Sequence, residues 1–300
     1  MAPSSADVAV LVSPAAGRGR AAGLAAEVLA AFGEAGFAPE LLPAASAAEA
    51  EAQAAAAVAA GTRAVVAVGG DGTQHAALQA VAGTSTPLAP VPAGTGNDLV
   101  LALGVPRDPV AAARAAAEDL KAGTTRTVDL GRTGNRWWAT VLCCGFDSAV
   151  TDRANRLRWP RGRRRYDVAV LAELARLRPR ELTLVLDGES QTLPITMVAV
   201  GNTAWYGGGM RICPGADPAD GLFDITVVGA ISRLQLMRTK PRLTSGTHVD
   251  HPSVSVFRAS RVELSSPGVT TYADGEPVAP LPAVAECVPG ALSLLGTDRT

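Results

Sequence analysis

The first 125 residues alternate between short apolar runs and longer alanine-rich segments. The apolar runs have the length and composition of buried strands, and they lie at residues 7–12, 64–68 and 88–92. The alanine-rich segments have the length of helices, and they lie at residues 21–32, 46–60, 74–82 and 109–121. Strands that alternate with helices predict a doubly wound, parallel α/β sheet.

The chain after residue 127 has a different pattern, in which short β-rich runs are separated by turn residues. These runs lie at residues 136–142, 182–186, 195–200, 223–228, 253–257, 261–264 and 284–288. Two segments with helical character, 167–178 and 233–244, interrupt them. Many short strands with turns between them predict an antiparallel β-sandwich. The sequence therefore predicts an α/β domain at 1–127 and a β-sandwich domain at 128–300. The last residues of the chain could pack on the first domain.

Charge and composition exclude several classes of protein. The 300 residues carry 27 Lys and Arg against 28 Asp and Glu, so a net charge of −1 gives no overall field that would attract nucleic acid. No stretch is apolar for long enough to span a bilayer, and the first residues lack the basic start of a secretory signal. The four cysteines show no CxxC spacing, which argues against a zinc site or a disulfide framework. These features predict a cytoplasmic protein that binds no nucleic acid.

The strongest local signal is the loop Gly69-Gly70-Asp71-Gly72-Thr73, which follows an apolar strand and precedes a helix. Adjacent glycines let the backbone turn sharply and approach a ligand closely. The N-terminus of the next helix, with its partial positive charge, favours phosphate. A carboxylate at such a place needs a metal, a water or a hydroxyl as its partner, or else it caps the helix. Taken alone, this loop leaves both interpretations of Asp71 open.

A second glycine loop, PAGTGND at residues 92–98, follows the next predicted strand. Ligands of open α/β sheets bind outside the carboxyl ends of the strands, so the two loops are expected to build opposite sides of one polyphosphate site. Neither loop has the GxxxxGK[ST] pattern of P-loop NTPases or the GxGxxG pattern of dinucleotide-binding folds. Both of those classes are therefore disfavoured.

These two loops resemble the diacylglycerol kinase catalytic domain family, which includes bacterial lipid kinases and, more distantly, sphingosine and ceramide kinases. Five further blocks in the same order resemble that family: SPAAG at 13–17, VDLG at 128–131, the segment from GGM to DGLFD at 208–224, GTHVDHP at 246–252 and DGE at 274–276. The resemblance implies a nucleotide-binding α/β domain, a C-terminal β-sandwich and an active site in the cleft between them. It also implies an ATP- and Mg²⁺-dependent lipid kinase, with diacylglycerol as the preferred acceptor and phosphatidic acid as its product.

The resemblance also assigns roles to individual residues. The ATP phosphates would be held by Gly69, Gly70, Gly72, Thr73, Gly94 and Thr95, with Ser13, Arg18 and Arg20 near the nucleotide. Asp71, Asp98 and Asp129 would form an acidic network linked to Mg²⁺. Glu276 would act as the general base that takes the proton of the lipid hydroxyl. Asp220, with the backbone carbonyls of Asp217 and Leu222, would hold a structural Mg²⁺, because oxygen ligands suit this cation.

Simpler interpretations exist for several of these residues. Asp129 could cap the end of a strand, and Asp220 and Asp274 could be ordinary turn residues, since Asp-Gly is a strong hairpin signal. His248 and His251 have too few neighbouring ligands in the sequence for zinc, so a structural role is expected.

Two departures from the family pattern bear on function. Ser13 stands where the family has Asn, and His75 and Ala76 stand where it commonly has Asn-Glu. The lost carboxylate leaves open a catalytically weakened nucleotide-binding regulatory protein of the same fold. An NAD kinase-like enzyme, which also carries GGDGT, is the other alternative, but its second loop differs from PAGTGND.

A basic segment at residues 153–165 is the one strong local departure from neutrality. It contains seven arginines, with Leu157 and Trp159 between them. Anionic headgroups attract such segments by about 1 kcal/mol for each basic residue, and Trp and Leu insert into the interface. This predicts peripheral association with the inner face of the membrane, whereas pairing with nearby acids such as Asp152 and Glu173 would instead make it a solvated surface. The sequence leaves open whether the protein forms a homodimer.

Overall fold

The computed structural model describes residues 7–12, 20–94, 96–160 and 163–296, apart from the side chains of residues 20–22, 163 and 240. Within these residues the chain divides into two compact units. The first unit consists of the residues up to Leu130 and those from Pro289 onward, and the second is Gly131–Val288. Two strands carry the chain out of the first unit and back into it.

The elements of the first unit, in chain order, are β1 (Val8–Val12), α1 (Arg20–Glu34), β2 (Pro39–Pro43), α2 (Ala47–Ala59), β3 (Ala64–Gly69), α3 (Asp71–Val81), β4 (Leu88–Pro92), α4 (Asp98–Ala102), α5 (Pro109–Ala122) and the crossing strand β5 (Thr125–Thr133). The second unit continues with β6 (Arg136–Trp138), β7 (Val141–Gly145), α6 (Phe146–Arg156), α7 (Arg163–Ala175), β8 (Arg180–Leu186), β9 (Glu189–Gly201), β10 (Phe223–Gly229), α8 (Arg233–Ser245), a 3₁₀ turn (Thr247–Asp250), β11 (Val254–Ala259), β12 (Arg261–Ser265), β13 (Thr270–Ala273), β14 (Glu276–Pro280) and the returning strand β15 (Ala283–Leu295).

The first unit is built on a parallel sheet. The strands lie in the order β2-β1-β3-β4, and the end of β15 pairs with β4 in the same direction. Every residue of β1 and β3 is buried, as expected where helices cover both faces. Alternate residues of these strands, such as Val10 and Val66, pack with Phe32 of α1 and Leu120 of α5. Helices α2 and α3 pack together and contact the same strands, which completes the doubly wound arrangement predicted from the sequence.

Local signals in the sequence account for the helix ends of this unit. Ser46 caps α2, with its hydroxyl oxygen accepting a hydrogen bond from the Glu49 N–H at 3.2 Å. Asp108 caps α5 in the same way, with the Ala111 N–H as donor at 2.8 Å. Helix α5 ends at Gly123, whose φ of 68° is a left-handed conformation that favours glycine.

The second unit is an antiparallel β-sandwich, as predicted. The long strand β9 joins its two sheets, because its first half pairs with β8 and its second half pairs with β7 and β10. Strands β12 and β15 continue from β8, whereas β13 and β14 continue from β7 and β11 continues from β10. Apolar side chains from both sheets form one core, in which Trp138 stacks on Phe223 at 5.0 Å between ring centroids. The fold class predicted from the sequence is therefore confirmed.

Several elements differ from the sequence expectation. The run at 136–142 is two strands, because the N–H groups of Ala139 and Thr140 donate to the Asp274 carboxylate between β6 and β7. Helix α6 was not predicted because most of its residues are polar and it directly follows a β-rich run, although Phe146, Val150 and Ala154 have helical spacing. Within the described part of the chain, no helix is both long and apolar enough to cross a bilayer.

Candidate functional site

The first glycine loop lies where β3 ends and α3 begins. A Cβ atom added at Gly69 would lie 2.2 Å from the Thr73 hydroxyl oxygen, so glycine is required there by the buried Thr73 side chain. Gly70 precedes α3 and has no side chain with which to cap it. The N-terminus of α3 carries the partial positive charge and the outward N–H groups that favour phosphate.

The second glycine loop, of which Thr95 lies outside the described residues, touches the first. A Cβ atom at Gly94 would lie 2.4 Å from the Cα of Gly70, so the two backbones meet at a distance that only glycine permits. The Ala93 N–H donates to the Gly69 carbonyl at 2.9 Å. This contact follows from the sheet, since β3 and β4 are parallel neighbours whose carboxyl ends lie side by side. The structure thus brings together the two loops that the sequence singled out.

Asn97 shapes the second loop and was not among the predicted site residues. Its backbone is left-handed, with a φ of 57°. Its side chain accepts from the Gly94 N–H at 3.2 Å and donates to the Gly94 carbonyl at 3.0 Å, which closes the loop on itself. Left-handed Asn within a glycine-rich stretch is a recognised turn signal and could have identified this role from the sequence.

Asp71 joins the two loops through its carboxylate. One oxygen accepts from the Asp98 N–H at 2.8 Å and the other from the Asn97 N–H at 3.1 Å. A Cβ atom at Gly96 would lie 2.4 Å from an Asp71 carboxylate oxygen, so a larger residue there would displace that carboxylate. Asp71 therefore holds the start of α4 against α3, and the half-buried Asp98 occupies the first turn of α4. The catalytic roles of Asp71 and Asp98 stay predictions.

Asp129 is buried in β5, with 4% of its surface exposed. One carboxylate oxygen accepts from the Gly290 N–H at 2.8 Å, and this fixes β5 to the part of β15 that belongs to the first unit. This contact is consistent with a structural role for Asp129 at the end of a strand. Its proposed place in a Mg²⁺-linked acidic network stays a prediction. Ser13 and Arg18 lie outside the described residues, and so does the Arg20 side chain.

Glu276 begins β14 in the second unit, directly after a tight turn made by Asp274 and Gly275. Both turn residues have positive φ, 53° and 84°, the conformation of a two-residue hairpin. The Asp274 carboxylate accepts from the N–H groups of Ala139 and Thr140, each at 3.0 Å, and from the Thr140 hydroxyl. The Asn155 side chain of α6 donates to the Gly275 carbonyl at 3.2 Å. These contacts fix the turn that carries the half-buried Glu276.

The predicted structural metal site lies in the turn before β10, where the carboxylates already have protein partners. Asp217 accepts from the Ala219 N–H at 3.1 Å, and Asp220 accepts from the Leu222 N–H at 3.0 Å. The other Asp220 oxygen forms an ion pair with Arg258. In the described part of the chain, no three His, Cys, Asp or Glu side chains are grouped as a metal would need. These residues do not present the open oxygen set that Mg²⁺ requires, so no step of the function below depends on them.

The histidines and cysteines of the second unit have structural surroundings. His248 is fully buried and donates through Nε2 to the Ile212 carbonyl at 3.0 Å, and burial lowers its pKa. His251 accepts through Nδ1 from the Ser253 N–H at 3.1 Å. Burial raises the pKa of the Cys144 and Cys213 thiols to about 12, so both remain protonated and pack as apolar side chains.

Asp147 and Tyr206 form a hydrogen-bonded pair that sequence reasoning missed. Asp147 is in the first turn of α6, and the Tyr206 hydroxyl donates to its carboxylate. Burial raises the pKa of Asp147 to about 6, although the hydrogen bond from Tyr206 lowers it in part. No spacing in the sequence joins these two residues, which are brought together only by the fold.

The side chains of Arg161 and Arg163 lie outside the described part of the basic segment 153–165, whose other side chains include paired and exposed ones. Arg153 contacts Glu173, and Arg156 contacts Asp152 at 2.9 Å, as the solvated interpretation expected. Arg158 and Arg164 are exposed, and Trp159 is 82% exposed. On α7, Val168 and Leu171 are also exposed. The segment therefore presents apolar as well as basic side chains to solvent.

Comparisons with known proteins identify the class. Residues 7–133 match the diacylglycerol kinase catalytic domain, and residues 140–296 match the YegS C-terminal NAD kinase beta sandwich-like domain. A diacylglycerol kinase of Mycobacterium tuberculosis is 48% identical over 242 residues, which cover 78% of this chain and 77% of the relative. A diacylglycerol kinase of Bacillus subtilis (strain 168) is 26% identical over 216 residues, covering 71% and 70%. The chain belongs to the diacylglycerol kinase catalytic domain family.

Solved structures share the fold of the chain. A crystal structure of a protein from Bacillus anthracis str. Sterne aligns with a TM-score of 0.81 at 20% identity, covering 99% of this chain and 97% of that one. A diacylglycerol kinase structure from the same organism aligns with a TM-score of 0.73 at 17% identity, covering 97% of each chain. At these identities the likeness concerns the fold alone.

Proposed function

We propose that the protein is an ATP- and Mg²⁺-dependent lipid kinase that phosphorylates diacylglycerol to phosphatidic acid. The observation that carries the proposal is the backbone contact between Gly70 and Gly94, which joins two glycine loops at the carboxyl edge of a parallel sheet. Loop amides and a helix N-terminus are suited to polyphosphate. The diacylglycerol kinases among its relatives support the choice of acceptor.

The proposed reaction is a direct transfer. The lipid hydroxyl oxygen forms a bond to the γ-phosphorus, the bond from that phosphorus to the β–γ bridging oxygen breaks, and ADP leaves. The hydroxyl proton passes to a carboxylate oxygen of Glu276. Asp98 and Asp129 carry carboxylates, the ligand type that Mg²⁺ takes, and Mg²⁺ bound there with ATP would neutralise charge on the phosphate oxygens.

The contacts of Asp71 and Asp274 supply the positioning that such a transfer needs. Asp71 fixes the second loop to the first, next to the loop amides that we propose bind phosphate. Asp274 fixes the turn from which Glu276 extends. Phosphoryl transfer is catalysed mostly by positioning and charge neutralisation, so both clamps bear directly on rate.

The test is phosphate transfer from labelled ATP by the purified protein, with diacylglycerol in mixed micelles and NAD as the competing acceptor. Labelled phosphatidic acid is the expected product. Labelled NADP would favour the NAD kinase alternative, and ATP binding without any phosphorylated product would favour a regulatory module.

Replacement of the base gives a sharper form of the test. Glu276→Gln should lower kcat by about 10²–10⁴-fold, the range for loss of a general base. Glu263→Gln is the matched control, since Glu263 is on strand β12 and pairs with Arg261 at the surface. Equal rates for the two variants would remove Glu276 from the reaction.

We further propose that the basic segment binds the anionic inner face of the membrane, where a diacylglycerol kinase meets its substrate. Exposed Trp159 and exposed Arg158 support this, since the ring inserts into the interface and the guanidinium binds headgroups. The test is co-sedimentation with phosphatidylserine vesicles for Trp159→Ala, with Leu234→Ala, an exposed leucine of α8, as the control. Binding should fall several-fold in the first variant only, and equal binding would contradict the assignment.

A further inference from the structure

The acidic turn, defined here by Asp217, Asp220 and Asp224, lies at the start of β10 in the second unit. Strand β11 pairs with β10 in antiparallel register, and this places Arg258 directly opposite Asp224. Oppositely charged residues at such cross-strand positions are within reach of each other. The pairing register of β10 and β11 therefore places the Arg258 guanidinium next to the acidic turn.

Arg258 bridges two of the three carboxylates. Its Nε lies 3.3 Å from an Asp224 oxygen, and its terminal nitrogen contacts an Asp220 oxygen. The side chain of Asp224 is 7% exposed and that of Asp220 is 28% exposed, so water screens this cluster only in part. A planar guanidinium offers several donors in a fixed fork and can serve two carboxylates at once.

The other oxygens of these two carboxylates face protein atoms. The second Asp220 oxygen accepts from the Leu222 N–H at 3.0 Å. The second Asp224 oxygen faces Gly215, where an added Cβ atom would lie 2.6 Å from it. A divalent cation at Asp220 would have to displace the guanidinium, because two cations on one carboxylate repel each other.

We infer that the Arg258 guanidinium is the resident cation of the acidic turn, so that the second unit folds without a divalent metal there, and that removal of this side chain opens a site for Mg²⁺. The inference is independent of the proposed kinase reaction, since every residue involved lies in the second unit and outside the glycine loops.

The test compares the wild type with Arg258→Met, which keeps an unbranched apolar stem and loses the charge. Thermal unfolding is followed without nucleotide, in a chelator and in millimolar Mg²⁺, and Mn²⁺ binding is counted by electron paramagnetic resonance. The wild type should unfold at the same temperature in both solutions and bind no tight Mn²⁺. Arg258→Met should unfold about 4 °C lower in chelator, recover in Mg²⁺ and bind one Mn²⁺ per chain.

Arg261→Met is the matched control, because Arg261 is comparably exposed and also lies near two carboxylates, Glu263 and Glu286. It should gain no response to Mg²⁺. The double variant Arg258→Met/Asp220→Asn should lose the response, which locates the new site.

A wild type that binds one tight Mn²⁺ without nucleotide would overturn the inference, and this result does not depend on whether the variant folds. Absence of any Mg²⁺ response in a folded Arg258→Met would also overturn it, because the acidic turn would then not be a cation site. Transfer of phosphate to diacylglycerol is not needed for either outcome.

Discussion

The first glycine loop and the hairpin turn before Glu276 are each fixed by the same kind of contact, an aspartate carboxylate that accepts backbone hydrogen bonds, but their packing differs. Asp71 and Asp274 each accept hydrogen bonds from two consecutive backbone N–H groups of another segment. Around Asp71 the backbones touch, and a Cβ at Gly94 would lie 2.4 Å from Gly70. Around Asp274 the turn is open, and a Cβ at Gly275 would meet no atom within 4 Å. The Asp71 carboxylate therefore joins two tightly packed loops in the first unit. The Asp274 carboxylate fixes a solvent-accessible turn in the second unit.

Gly94→Ala should have the largest effect, because the new Cβ would clash with backbone rather than with a movable side chain. Overpacking of this kind costs about 1–3 kcal/mol of unfolding free energy, which urea titration measures. Gly275→Ala is the control and should cost about 1 kcal/mol, from its φ of 84° alone. Equal losses in the two variants would mean that close packing does not distinguish the loops from the turn.

Asp71→Asn and Asp274→Asn should separate the two clamps. Each variant keeps one acceptor oxygen and loses the charge, so each should lose about 2 kcal/mol of stability. Only Asp71→Asn should weaken ATP binding, whereas Asp274→Asn should lower kcat and leave ATP affinity near that of the wild type. Calorimetric titration with ATP distinguishes the two variants. Weaker ATP binding in both would contradict the assignment of Asp71 to nucleotide binding and of Asp274 to the turn that carries Glu276.

Asp147→Asn tests the half-buried pair of Asp147 and Tyr206 in the second unit through the pH dependence of stability. The folded-state pKa of Asp147 is raised from 3.8 to about 6, so the folded state binds the proton more tightly than the unfolded state. Its stabilising contribution is fully present below pH 3.8 and is lost as pH rises through about 6. Relative to Asp147→Asn, the wild type should lose about 3 kcal/mol over this window and change no further above it. Parallel stability curves for the two proteins would contradict the shift.

Asn155→Ala should have the smallest effect. It removes the bond to the Gly275 carbonyl at an exposed position and should cost about 1 kcal/mol or less. If the contact positions Glu276, kcat should fall while the KM for ATP is unchanged, and Asn155→Gln should not restore the rate because its amide is one methylene further out. A stability loss with an unaltered kcat would limit Asn155 to a structural role.

The sequence revealed those parts of the molecule that depend on local chemistry. The change from an alanine-rich to a β-rich pattern predicted the fold of each unit, and the two glycine loops were expected to build opposite sides of one polyphosphate site. Partners distant in sequence could not be found this way. Asp274 meets Thr140, Tyr206 meets Asp147 and Arg258 meets Asp220 only in the folded chain. The family resemblance therefore assigned Asp220 to a metal, whereas its guanidinium partner is visible only in the fold.

The central claim is that the two glycine loops form one phosphate-binding surface, and ATP titration of three proteins tests it most directly. The wild type should bind ATP, and Gly275→Ala should bind it equally well. Gly94→Ala, shown to be folded by circular dichroism, should bind it at least about tenfold more weakly, a difference of about 1.4 kcal/mol. Equal ATP affinity in all three proteins would contradict the claim.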